Sequence, residues 1–271
     1  MNSPLIAFIG GGNMATAIIG GLIRDGHAPQ QILVVDPVEA QRSKLEATLG
    51  VRTLPAASDR LGAAAVVVWA VKPQQFKEAA AQTGAFTPKA LHYSVMAGLR
   101  TDDMARLLGS PRIVRAMPNT PALVGQGMTG LFSRPEVSAD EKALIDAMVR
   151  PTGQALWVDQ EAQLDAVTAM SGSGPAYVFY FIEAMVQAGQ DMGLSAEQSR
   201  QLALATFAGA TSLAAQSAEA PAVLRERVTS KGGTTHAALS HMEAQGVKAS
   251  FVAAMRAAQA RAAELGDEFG R

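Results

Sequence analysis

The chain contains no cysteine. Disulfides, thiol nucleophiles and cysteine-held zinc are therefore excluded, and the usage fits a cytosolic setting. Histidine is nearly as scarce: His27, His92, His236 and His241 are the four in 271 residues. No pair has HExxH or similar spacing, so a metal centre has no support. His236 and His241 stand five apart on one expected helix, on different faces, and read as solvated side chains. Charge is sparse at 17% and nearly balanced, with a net of −1. That excludes the basic footprint of a nucleic-acid binder and attraction to an anionic membrane. No run of like charges marks a tail. The longest apolar run, Ala63 to Val71, is too short to span a bilayer. Met1-Asn2-Ser3-Pro4-Leu5 lacks the charged region of a signal peptide, so the expected compartment is the cytoplasm. What is abundant is apolar: 48% of residues, enough for a packed core. The length suits one large or two medium domains.

The first half alternates short apolar runs with helical stretches. Strands are expected at Leu5–Ile9, Ile32–Val35, Val51–Leu54, Ala65–Val71, Leu91–Val95 and Arg112–Met117. Several are apolar throughout, as strands of a parallel sheet covered on both faces are. Helices are expected between them, at Met14–Arg24, Glu39–Leu49, Gln74–Thr83 and Thr101–Leu108. This alternation predicts a doubly wound α/β domain over residues 1–160. Beyond Asp159 strand signals stop and alanine-rich helical runs follow, at Pro175–Met192, Ala196–Ala218, Thr234–Gln245 and Val247–Leu265. Residues 161–271 should be all α. Their wide apolar faces suit burial within the chain or against a second subunit.

Ile6 to Ile9 runs into Gly10-Gly11-Gly12-Asn13-Met14-Ala15. An apolar strand, a G-x-G-x-x-A turn and a helix start form the dinucleotide-binding fingerprint. Gly10 makes the tight turn, Gly12 admits the pyrophosphate, and Ala15 allows close helix packing. A second strand ends in Asp36, about 20 residues on, as the fingerprint expects. An acid there favours the ribose 2′-hydroxyl of NAD. Pro37 can turn Asp36 aside, and Arg42 and Lys44 are near enough in sequence to reach a phosphate. Both nicotinamide cofactors stay open. Four more loops lie where ligands of such sheets sit, beyond the carboxyl ends of strands. They are Ala70-Val71-Lys72-Pro73, Met96-Ala97-Gly98, Met117-Pro118-Asn119-Thr120-Pro121 and Ser171-Gly172-Ser173-Gly174-Pro175. Lys72 closes an apolar strand and must reach solvent or a ligand. Small residues at 97 and 98 suit a flat ring against backbone. Asn119 is pinned by prolines or belongs to a plain turn. The last loop shapes a ligand or simply caps a helix.

Val228-Thr229-Ser230-Lys231-Gly232-Gly233-Thr234-Thr235 precedes an expected helix that ends before Gly246. Two glycines let the backbone close on a ligand. The helix start adds unpaired N–H groups and a positive dipole end. That combination makes a cradle for a small anion such as a carboxylate.

Taken in order, these motifs, together with Asp165-Ala166-Val167-Thr168-Ala169, resemble those of the pyrroline-5-carboxylate reductases. The resemblance runs from Leu5 to about Leu265. It implies a Rossmann-like domain followed by a helical dimerisation domain, assembled as dimers and in some members decamers. The implied reaction is hydride transfer from NADPH or NADH to 1-pyrroline-5-carboxylate, giving L-proline. The implied cofactor contacts are Ile9, Gly10, Gly11, Gly12, Asn13, Met14, Ala70, Val71, Lys72 and Pro73, with Met96, Ala97 and Gly98 near the nicotinamide. Glu161 is implied at the substrate, and Ser230, Gly232, Gly233, Thr234 and Thr235 around its carboxylate and ring nitrogen. Two departures stand out. Many members have Pro where Lys231 stands, and many place an Asn near the adenosine, close to Ala57 and Ser58 here.

Reducing a cyclic imine asks little of protein side chains beyond alignment and charge. A fixed hydroxyl beside the imine nitrogen suffices, and Thr235 is the candidate for catalysis. It donates a proton or only positions the ring. A β-hydroxyacid dehydrogenase is the nearest rival, but such enzymes lean on a lysine in the helical domain. Only Lys231 and Lys248 occur there. A non-catalytic dinucleotide-binding module would have no use for the second glycine cradle.

Overall fold

The computed structural model describes residues 4–270. Most of the N-terminal stretch read as lacking a signal peptide, residues 1–3, lies outside them. In chain order the elements are β1 (Ile6–Ile9), α1 (Asn13–Arg24), β2 (Ile32–Val35), α2 (Glu39–Leu49), β3 (Arg52–Leu54), β4 (Val66–Trp69), α3 (Phe76–Thr83), β5 (Leu91–Ser94), α4 (Thr101–Leu108) and β6 (Ile113–Met117). Then come β7 (Gly127–Ser133), α5 (Ala139–Val149), β8 (Gly153–Trp157), α6 (Gln163–Val167), α7 (Gly174–Asp191), α8 (Ala196–Gln216), α9 (Pro221–Arg227), α10 (Thr234–Ala244) and α11 (Val247–Phe269).

The strands form one sheet in the order β3-β2-β1-β4-β5-β6-β7-β8. All neighbours are parallel except β6 and β7, which run antiparallel. The order reverses direction between β1 and β4, at the point where ligands enter such sheets. In β1 and β4 successive side chains serve opposite faces, as a pleated strand requires. Ile6, Phe8, Val66 and Val68 pack beneath α1 and α5, on Ile18, Ile19, Ile145 and Met148. Ala7, Ile9, Val67 and Trp69 pack on the other face with Phe76 of α3 and Met104 of α4. Both faces are buried, which is why these strands read as unbroken apolar runs.

Before residue 160, two strands and a helix lie where the sequence reading placed none. β7 carries two glycines and a threonine, and β8 is a short edge strand with an exposed middle, so neither shows a strong strand signal. The helix α5 between them starts with a capping box: Ser138 accepts from the Glu141 N–H, and Glu141 accepts from the Ser138 N–H at 2.8 Å. Beyond β8 the chain is helical throughout, as expected.

The chain forms two compact units: one runs through Ser173 and resumes at Ala258, and the other is Gly174–Ala257. Residues 161–173 and the end of α11 thus group with the sheet. Leu164 and Ala169 are buried in that unit, and Phe269 packs on its core. Among the described residues no helix is long and apolar enough to cross a membrane.

Candidate active site

The glycine turn joins β1 to α1. Gly10 has φ +95°, and its N–H donates to the Val35 carbonyl at 2.9 Å. A Cβ there would stand 2.7 Å from the Ala70 carbonyl oxygen, so the turn can press against β4 only as glycine. Gly12 is the N-cap of α1, and no side chain caps that helix. A Cβ on Gly12 would meet nothing within 4 Å. The space before the helix start is open, and the first-turn N–H groups and positive dipole end belong to it. Exposed Asn13 and half-buried Met14 flank it. A pyrophosphate fits this arrangement.

Asp36 sits at the carboxyl end of β2, but its carboxylate is already engaged. Oδ2 accepts the Gly11 N–H at 2.8 Å, and Oδ1 accepts the Val38 N–H at 2.9 Å. The residue is only 9% exposed. Gln41 of α2 donates to the Gly11 carbonyl, so the turn is held from both sides. Arg42 Nη1 donates to the carbonyls of Asp36 at 2.9 Å and Pro37 at 3.0 Å.

A cavity of about 240 Å³ opens beside the turn. Its apolar side comes from Ile9, Val35, Pro37, Ala57 and Val71 at the ends of β1 to β4. Its polar side comes from Gln75, Glu78 and Gln82, on and just before α3. This pairing of apolar floor and hydrogen-bonding wall suits a flat heteroaromatic base. Gln75, Glu78 and Gln82 escaped the sequence reading because helix-face polar residues carry no motif. Lys72 is exposed at the start of the short turn Pro73–Gln75, just beyond Ala70 and Val71. It forms no ion pair with any described residue.

The loop after β5 is more closed. Met96 is buried, and its N–H donates to Ser94 Oγ at 3.3 Å. Gly98 has φ +78°, and a Cβ there would lie 2.9 Å from Phe269 Cδ2. The close approach at Gly98 therefore belongs to the end of α11. Ala97 is partly open.

Glu161, which the family resemblance implies at the substrate, bonds to protein groups in the sheet unit. Arg115 stands in the middle of β6 and is 5% exposed. A buried guanidinium needs a counter-charge, and Glu161 Oε1 accepts from Arg115 Nη1 at 2.9 Å. The same carboxylate accepts the Thr101 N–H at 2.8 Å and the Thr101 hydroxyl at 2.6 Å. It thereby caps α4, which lacks a cap of its own. Asp165 lies 4.0 Å from Arg115. Burial raises its pKa, against the opposing pull of Arg115 and Arg100. The sequence signal for this network was an arginine inside an apolar strand. Asn119 is likewise occupied: Oδ1 accepts the Met128 N–H at 2.9 Å, and Nδ2 donates to the Ser171 carbonyl at 3.1 Å. It clamps the loop after β6 to β7 and to the π-helical turn Thr168–Gly172.

In the second unit, α9 leads through Val228 into the Ser230–Gly233 turn and then α10. Gly232 has φ +77° with no atom within 4 Å of a Cβ position. The Gly233 N–H donates to the Ser230 carbonyl at 3.0 Å, closing a tight loop. Gly233 is the N-cap of α10, and no side chain caps it. Among the described residues the hydroxyls of Ser230, Thr234 and Thr235 form no hydrogen bond. Lys231 is exposed and unpaired among them. His236 and His241 are exposed.

Of residues 174–257, only Gly189, Ser199 and Ala203 are buried. Phe179, Tyr180, Met192, Leu202 and Leu213 are all more than half exposed. Helices carrying this much open apolar surface call for a covering subunit.

A Rossmann-type sheet with a G-x-G-x-x-A turn, joined to a helical unit of open apolar faces, defines a dinucleotide-binding oxidoreductase built for oligomers. The chain belongs to the pyrroline-5-carboxylate reductase family. The family model for pyrroline-5-carboxylate reductase dimerisation matches residues 161–265. One described as NADP oxidoreductase, coenzyme F420-dependent, matches residues 5–98. The pyrroline-5-carboxylate reductase of Pseudomonas aeruginosa is 44% identical over 100% of both chains. The solved reductase of Coxiella burnetii is 39% identical, with a TM-score of 0.90 over 97% of this chain and 99% of that one. That of Plasmodium falciparum, solved with NADP bound, is 27% identical, with a TM-score of 0.88 over 98% and 99%.

Proposed function

We propose that this protein reduces 1-pyrroline-5-carboxylate to L-proline with hydride from NADPH or NADH. Full-length kinship with reductases of that name supports the reaction. The observation that carries the site is the Ser230–Thr235 segment: a capless helix start, two adjacent glycines and hydroxyls without hydrogen-bond partners among the described residues. Backbone N–H groups of the Ser230–Thr235 segment, other than that of Gly233, which donates to Ser230, hold the substrate carboxylate. The Thr235 hydroxyl donates to the imine nitrogen, drawing electrons from the adjacent carbon. Gly12, Asn13 and Met14 hold the pyrophosphate, and Ile9, Gly10 and Val71 border the adenine cavity. Ala70, Lys72 and Pro73 flank that cavity, and Met96 and Ala97 edge the nicotinamide. The bound nicotinamide supplies the hydride. As it reaches the imine carbon, the nitrogen gains a proton, completing the amine.

Glu161 is a substrate contact by family resemblance, and Asp36 holds the glycine turn through Gly11. Residues 1–160 form the cofactor domain, and residues 161–271 the substrate and dimerisation domain. The working form is a homodimer or a decamer built from five such dimers, in the cytoplasm. The test is oxidation of NADPH and NADH by the purified chain with 1-pyrroline-5-carboxylate, proline being identified as product. Absence of substrate-dependent oxidation with either cofactor would overturn the reading.

A further inference from the structure

We propose that Arg42 recognises the 2′-phosphate of NADPH and gives this protein a preference for NADPH over NADH. This rests on the reading above, that the glycine turn holds a nicotinamide dinucleotide. In that pose the adenosine ribose reaches the carboxyl end of β2. The acid expected to meet the ribose 2′-hydroxyl there is Asp36. Its two oxygens instead accept the N–H groups of Gly11 and Val38, at 2.8 and 2.9 Å. It is buried, with both oxygens engaged. The side chain that would select NAD is spent on holding the turn.

Arg42 takes the place that Asp36 leaves. Its Nη1 donates to the carbonyls of Asp36 and Pro37, so the guanidinium is parked at the end of β2. Pro37 also lines the cavity, which brings this position beside the base. The two Nη1 hydrogens are used. The Nε–H and the two Nη2–H groups bind no other described residue. That edge is the one that pairs with two phosphate oxygens at once. Anchoring through Nη1 fixes the fork in advance, so little side-chain freedom is lost on binding. Opposing charges are Glu78 on the cavity wall, the hydrogen-bonded Asp36 carboxylate and, in the first turn of α2, Glu39. Glu39 is exposed, and water screens it. Lys44 is exposed and adds positive charge to the same helix.

The test is equilibrium binding of NADPH and of NADH to the full chain by calorimetry, without imine. Wild type should bind NADPH about tenfold or more tighter, as charge-assisted bonds to one phosphate imply. Arg42→Ala should abolish that ratio while NADH affinity stays within about twofold. Arg42→Lys, which keeps the charge but loses the fork, should retain part of it. Equal wild-type affinities would overturn the proposal, as would a ratio that survives in Arg42→Ala. Loss of both affinities together in Arg42→Ala would also overturn it, since the residue would then act only on the loop. No step here involves the imine. A protein inert toward 1-pyrroline-5-carboxylate but selective for NADPH would overturn the proposed reaction and leave this inference standing.

Discussion

The two ends of the glycine turn do different work, and single substitutions separate them. Gly10 is demanded by the fold, with its left-handed backbone and the Ala70 carbonyl 2.7 Å from any Cβ. Gly12 has ordinary extended backbone and open space before it. Gly10→Ala should cost about 2 kcal/mol or more in unfolding free energy, the scale of a forced left-handed residue plus a clash. Gly12→Val should leave the melting temperature nearly unchanged yet weaken NADPH binding about tenfold or more, because its side chain fills the pyrophosphate space. Thermal melts and calorimetry on both variants check the pair. Thr235 is the third residue of this kind. Thr235→Ala should lower kcat/KM for the imine about a hundredfold, the low end of positioned proton donation, with NADPH affinity unchanged. Thr235→Ser should keep most of the activity. Unchanged turnover in the alanine variant would remove Thr235 from the chemistry.

At the scale of elements, Glu161 ties three of them together. It answers the buried Arg115 of β6, caps α4 and sits just before α6. Glu161→Ala should cost about 3 kcal/mol or more in urea unfolding, since it strands a buried guanidinium. Adding Arg115→Met should recover most of that loss, because removing both partners leaves no orphan charge. If the double variant is as unstable as the single one, the pairing is not what Glu161 contributes. The missed strands β7 and β8 belong to this scale too. Their register comes from neighbours: β7 pairs with β6 from Val114↔Ser133 to Met117↔Gly130. Short glycine-bearing strands are specified by the sheet they join more than by their own propensity.

For the molecule as a whole, stability should depend on acidity and on concentration. His92 is buried within β5, with Nδ1 accepting the indole N–H of Trp69 on neighbouring β4 at 3.2 Å. Burial first, and the Arg112 charge second, lower its pKa from 6.5 to about 4. The unfolded chain therefore binds a proton that the folded chain refuses between those values. Stability is full above pH 6.5 and declines as pH falls toward 4, by about 2 kcal/mol at pH 5. Asp165, raised above 3.8 by burial, acts with the opposite sign. His92→Gln, which can still accept from Trp69, should flatten the decline between pH 7 and 5 in denaturant titrations. Concentration matters because the second unit buries so little. Its melting temperature should rise with protein concentration, as linkage to assembly demands. Phe179→Glu should shift the chain toward monomer in light scattering and remove that dependence.

The amino-acid sequence by itself determined the alternating α/β half, the helical second half and both glycine turns. Each of these is written in local periodicity or in backbone freedom that only glycine has. It also carried the family, through motifs whose order persists across the chain. Tertiary structure alone decided how the charged residues are spent. Asp36 and Glu161 both read as ligand contacts, and both are consumed by protein groups, the Gly11 and Thr101 N–H groups and the Arg115 guanidinium. The reason is physical: a buried donor takes the nearest acceptor in space, and partners 25 to 60 positions away leave no periodic trace in the sequence.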